Sequence, residues 1–225
     1  MKHIVVTGNI GCGKSYVINR LMELWESFSE PPSMLINMDH EGFQFVYGEG
    51  KQYLINNFMT TDKRMISSLV FKNPALLHDL NKHFVPDIKR IFLEYLEWPD
   101  PIIIEFPLLF ECFTTPKERA FIKERCTAVA ILVDDSVRYE RAMGRDKKTL
   151  EQIQQVDRTQ LPQMEKCKLA DWVIVNDPAK IDTEQMIHDL VGILNGQQEN
   201  WHCSGILRPN HQGTRVADQE SCESC

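Results

Sequence analysis

Five short apolar runs punctuate the chain: His3–Thr7 (HIVVT), Met34–Met38 (MLINM), Ile102–Glu105 (IIIE), Ala128–Val133 (AVAILV) and Trp172–Val175 (WVIV). They are rich in β-branched residues and show little polar alternation. That predicts strands buried on both faces. Between them the apolar spacing is mostly helical. One helix is predicted from Lys14 to about Phe28, and a gap of about sixty residues before the third strand contains the helical run NPALLHDLNKHFVPDIKRIFLEYLEW. Residues 136–169, rich in charge and Gln, predict two or three mobile helices. Strands alternating with helices imply an α/β fold, a five-stranded parallel sheet covered on both faces. Right-handed crossovers then bring the C-terminal strand ends to one edge, where ligands bind. A helical insert over 40–98 would stand above that edge. After Leu194 apolar residues thin out, which predicts a domain over 1–195 and a flexible tail over 196–225.

Composition narrows the class. The 225 residues carry 25 Lys and Arg against 32 Asp and Glu, a formal charge of −7. This balance argues against a protein that coats nucleic acid, while leaving room for a local anion site. Seven cysteines at wide spacings predict free thiols in a reducing compartment. Neither a signal-like leader nor a membrane-length apolar run is present in the sequence, so a soluble cytoplasmic protein is expected.

The strongest chemical signal is GNIGCGKS at residues 8–15, which fits G-x-x-x-x-G-K-[ST]. The expected phosphate-binding set is Gly8, Asn9, Ile10, Gly11, Cys12, Gly13, Lys14, Ser15 and Tyr16. Backbone N–H groups would cradle phosphate oxygens, Lys14 would bridge the β- and γ-phosphates of ATP, and Ser15 would ligate Mg²⁺. The helix after the loop adds its positive end. Cys12 is read as a small residue contributing backbone alone.

Other candidates rest on position. Asp39, read as closing the second strand, is either a base toward an attacking hydroxyl or an N-cap. Glu105 closes the third strand and either holds Mg²⁺ through water or makes an ordinary hydrogen bond. Arg141 and Arg145, at i and i+4 in RYERAMGRD, can grip a triphosphate from a lid over 136–169. Asn176 and Asp177 either touch a nucleobase or mark a turn. His40, His78 and His83 can sit near a substrate or serve the structure. The cysteines of the tail, with His202, match no common zinc spacing.

These residues together resemble the dephospho-CoA kinase family of P-loop kinases, over about residues 3–194. TGNIGCGKS, INMDH, FPLLFE, ERAMGRD and DRTQLPQMEKCKLADWVIVND are similar to that family's motifs. Arg158, Gln160, Lys166, Ala170, Asp171 and Asn176 stand where the family has them. The resemblance implies a three-layer P-loop kinase with a helical substrate-binding insert and a helical lid. It implies Asp39 as base on a ribose 3′-hydroxyl, Lys14, Arg141 and Arg145 as catalytic cations, and Asn176 beside the adenine of ATP. Two departures fall in the acceptor half: Val85-Pro86 where the family has His-Pro, and Lys63 where it often has Arg.

The acceptor is expected to be dephospho-CoA. A (deoxy)nucleoside monophosphate kinase on the same fold is one alternative. A kinase of a modified DNA base is another, using Lys117, Arg119, Lys123, Arg125, Lys147 and Lys148 as a basic surface. An ATP-binding regulator without turnover is a third.

Overall fold

The computed structural model describes residues 2–25, 32–177, 179 and 181–196. The tail expected from 196 onward therefore lies, after Gly196, outside the described residues, together with its cysteines and His202. In chain order the elements are β1 His3–Thr7 and α1 Lys14–Trp25; β2 Leu35–Asn37 and four helices, α2 Met38–Tyr47, α3 Lys51–Phe58, α4 Lys63–Val70 and α5 Pro74–Tyr95. Then follow β3 Ile103–Glu105, α6 Leu109–Cys112 and α7 Pro116–Arg125; β4 Cys126–Leu132, α8 Asp135–Asp146, α9 Leu150–Asp157 and α10 Gln163–Leu169; and β5 Trp172–Val175 with α11 Thr183–Leu194.

All five expected strands form, in the order β2-β3-β1-β4-β5 with every pairing parallel. The period of two explains why they read as unbroken apolar runs. Val5, Ile104, Ala128 and Val173 enter one core with Phe92 of α5, Ile122 of α7 and Cys167 of α10. Their neighbours Ile4, Ile103, Val129 and Ile174 enter the other, against Leu21 and Trp25 of α1 and Leu190 of α11. Both faces are dry, giving three layers. The four cysteines of the described residues, Cys12, Cys112, Cys126 and Cys167, are buried free thiols.

The long insert builds a third core from Leu54, Ile66, Val70 and Phe84. Three of its four helices, α2, α4 and α5, start at capping side chains, Asn37, Asp62 and Asn73, each accepting from backbone N–H within the first turn. The segment 136–169 resolves into α8, α9 and α10. Arg138 of α8, with a side chain 3% exposed, forms an ion pair with Asp157 of α9 at 2.6 Å.

Candidate active site

β1, the central strand, delivers the phosphate loop to the sheet edge. Gly11 and Gly13 have φ of +77° and +87°, and a Cβ there would lie 2.0 Å from the Arg138 carbonyl oxygen and 2.1 Å from Asn176 Nδ2. Backbone conformation and close approach both demand glycine. Lys14 Nζ donates to the carbonyls of Gly8 at 3.1 Å and Asn9 at 3.4 Å. α1 starts inside the loop, its first turn directed at the same edge.

The reading of Asp39 as a strand end needs correction. β2 pairs with β3 only as far as Asn37, opposite Glu105. Asn37 then caps α2, accepting from the His40 N–H at 3.0 Å, and donates to Glu105 Oε2 at 3.0 Å. An Asn cap bends the chain two residues early, so Asp39 occupies the first turn of α2 and the capping alternative for Asp39 falls. Asp39 is open to the cleft, yet the protein around it raises its pKa, against the lowering influence of Lys14, Lys63 and Lys166. Burial also raises Glu105, with Lys14 opposing and Asp39 reinforcing. Lys14 thus acts on both acids. Glu105 makes the ordinary hydrogen bond, to Asn37, and also lies in the field of Lys14 and Arg145.

Opposite the acids stands α8. Arg141 Nη1 donates to the Asn176 carbonyl at 3.2 Å, whereas Arg145 forks onto Asp146 at 2.6 and 3.0 Å. Asn176 is buried and turns its amide onto the loop, donating to the Cys12 carbonyl at 2.8 Å. Cys12 contributes that carbonyl, in keeping with a backbone role. Gly13, Tyr16, Arg141, Asn176 and Thr183 line a cavity of about 780 Å³. Tyr16 does not turn its hydroxyl to the phosphate loop; it donates to Glu184, which also binds Arg20.

From the insert, Lys63 Nζ lies 4.6 Å above the Phe43 ring, one helical turn beyond Asp39. Val85 packs against the core beneath the sheet, Pro86 is exposed, and His83 stacks on Tyr53 at 3.7 Å, so none of these is drawn to Asp39 by a contact in the structure. His40 bonds to Gln44 at 2.9 Å. Of the basic residues a DNA acceptor would call on, Lys123 pairs with Asp171 and Arg125 with Glu97 and Glu124.

Sequence reading gave no role to Arg138, Asp157 or Glu111. Arg138 lies in the same charged run as Arg141 and Arg145, and nothing in that run marks it as buried. Gln160 and Lys166 were visible only through family resemblance.

A sheet of this order, with a phosphate loop after its central strand and a helical lid over it, is the architecture of the P-loop kinases. A sequence model described as dephospho-CoA kinase matches residues 2–182, and the chain belongs to that family of ATP-dependent kinases. A dephospho-CoA kinase of Leptospira interrogans is 30% identical over 191 residues, covering 77% of this chain and 83% of the relative. One from Thermus thermophilus is 28% identical over 202 residues, covering 86% and 92%. A crystal structure of a Thermus thermophilus protein matches with a TM-score of 0.62 and 25% identity, over 88% of this chain and all of that one. The dephospho-CoA kinase of Campylobacter jejuni shares the fold at a TM-score of 0.56 and 22% identity, over 87% and 98%. No helix among the described residues is long and apolar enough to cross a membrane.

Proposed function

We propose that this protein transfers the γ-phosphoryl group of ATP to the ribose 3′-hydroxyl of dephospho-CoA, giving CoA and ADP. The observation that carries the reading is the sheet register: Glu105 lies opposite Val6, near the end of the strand that enters the phosphate loop, and opposite Asn37, which caps the helix bearing Asp39, so the loop and both acids leave the sheet at one edge. ATP phosphates would lie on Gly8–Ser15, with the base in the cavity between Tyr16 and Arg141. Asp39 accepts the hydroxyl proton. Its raised pKa strengthens it as a base while Lys14 and Lys63 keep it within reach of the ionised state. Lys14, Arg141 and Arg145 stabilise charge on the transferring group, so catalysis is positioning and electrostatics.

Ser15 and Glu105 offer hard oxygen donors, which fit Mg²⁺. When bound, Mg²⁺ supplies charge neutralisation on the β- and γ-phosphates. In this reading residues 1–195 are the kinase domain, 40–98 the acceptor-binding insert and 136–169 the lid, which excludes water from the reacting phosphate. Buried free thiols suit a reducing cytoplasm.

The test is ADP release by purified protein with ATP, Mg²⁺ and dephospho-CoA, with deoxynucleoside monophosphates in parallel. Release with dephospho-CoA, and CoA as product, is expected. Turnover on a monophosphate with silence on dephospho-CoA would reassign the acceptor, and ATP binding without turnover on any acceptor would make the protein a regulator.

A further inference from the structure

Three side chains from the last third of the chain grip the phosphate loop. Asn9 Nδ2 donates to Asp157 Oδ1 at 2.9 Å and to the Leu161 carbonyl at 3.1 Å. The Ile10 N–H donates to Gln160 Oε1 at 3.0 Å. Asn176 Nδ2 donates to the Cys12 carbonyl at 2.8 Å. Asp157 is itself immobilised: Arg138 meets both its oxygens, at 2.7 and 2.6 Å, and the Tyr139 hydroxyl donates to it at 2.9 Å. On the other side, the Arg138 carbonyl walls Gly11 so closely that no Cβ fits.

A loop with three glycines has many backbone conformations, and only a few aim its N–H groups at one anion. Holding it beforehand lowers the entropy lost when a phosphate binds. The grip also sorts the loop. The Ile10 N–H is engaged by Gln160, and the Asn9 side chain is drawn outward, while the loop from Gly11 to Lys14 lies between the Arg138 and Asn176 contacts. Resting on the assignment of residues 8–15 as the ATP phosphate site, we infer that Asp157, Gln160 and Asn176 are positioning residues that preorganise this loop, Asp157 acting through Asn9.

Calorimetric titration of the full chain with ATP, alongside thermal unfolding, tests this. Gln160→Ala removes the acceptor for the Ile10 N–H; Gln160→Glu keeps one. The alanine variant should bind ATP about tenfold more weakly than wild type at low and high salt alike, the cost of one unpaired, half-buried donor, whereas the glutamate variant, whose added carboxylate repels the phosphates, should come within about threefold of wild type once salt screens that charge. Both should unfold near the wild-type temperature. Equal weakening in both variants at high salt, or unchanged affinity in Gln160→Ala, overturns the inference. The cycle of Asn9→Ala and Asp157→Asn gives a second reading: the double variant should bind ATP no more weakly than the weaker single one. Additive losses would overturn the route through Asn9. Should Asp157→Asn not fold, the Gln160 pair decides. Wild-type protein that fails to bind ATP would remove the phosphate-site assignment as well, whereas ATP binding indifferent to Gln160 removes this inference alone.

Discussion

Lys166 buries its ammonium against Glu111, Nζ to Oε1 2.8 Å, with its side chain 1% exposed. It also donates to the Pro107 carbonyl at 2.6 Å, which accepts in turn from Thr7 Oγ1 at 3.1 Å. Glu111 Oε1 takes the Leu161 N–H at 2.8 Å. The pair therefore ties the end of β1, the loop after β3 and the approach to α10 together behind the phosphate loop. Lys166→Met strands a buried carboxylate and should destabilise the protein by about 3–5 kcal/mol in denaturant unfolding. Lys166→Met/Glu111→Leu should recover most of that loss; no recovery would mean that packing, not the stranded charge, sets the cost.

Asp39→Asn should lower turnover by roughly 10²–10⁴-fold while ATP still binds, the range for losing a general base. Lys14→Ala should abolish turnover and weaken ATP binding as well. Steady-state rates with parallel ATP titration separate the two, and wild-type turnover in Asp39→Asn would remove the base assignment.

The acid limb of the rate profile should follow Asp39. Its pKa is raised chiefly because the surrounding protein desolvates its charge, open though it is to the cleft, so the limb should lie above that of an ordinary aspartate. Lys14, Lys63 and Lys166 each pull it down. Lys63→Met removes one lowering charge and should move the limb to higher pH. A pH–rate profile of kcat with wild type and Lys63→Met decides it: an unmoved limb would place the titration elsewhere.

Glu118 gives a stability signature. Its carboxylate caps α7 by accepting from the Thr115 N–H at 2.9 Å and binds Lys89 of α5 at 2.5 Å. These bonds, that to Lys89 foremost, hold its pKa at about 2, below the ordinary 4.5. A depressed carboxylate stabilises above its unfolded pKa, so the contribution is whole above 4.5 and disappears as pH falls through about 2. Glu118→Gln should therefore cost about 1 kcal/mol near neutrality and nothing at the acid end. Urea unfolding at several pH values checks this; a gap that persists at low pH counts against it.

Gly13→Ala should nearly abolish ATP binding. Its Cβ would meet Asn176 Nδ2 at 2.1 Å, and φ is +87°. An L side chain costs about 1–2 kcal/mol there before the Asn176 to Cys12 bond is broken. Titration with ATP would show wild-type affinity only if the loop can be rebuilt without that bond.

Much of the fold and site could be read along the chain. Strand identity followed from β-branched apolar runs, because a parallel sheet dry on both faces leaves no polar alternation to hide them. The runs over Trp172–Val175 and His3–Thr7 match β5 and β1 residue for residue. The phosphate loop was visible because its glycines answer to local dihedral and contact demands. What the chain order could not show were relationships between distant segments. Asp39 moved into a helix because Asn37 caps it, a competition between two neighbouring polar residues that pattern alone leaves undecided. Asn9 and Asp157 meet across 148 positions, and Lys166 finds Glu111 across the sheet edge. Local spacing records which residues prefer to be buried or to turn; which charge a buried arginine or lysine meets depends on the register and crossovers that only the packed sheet sets.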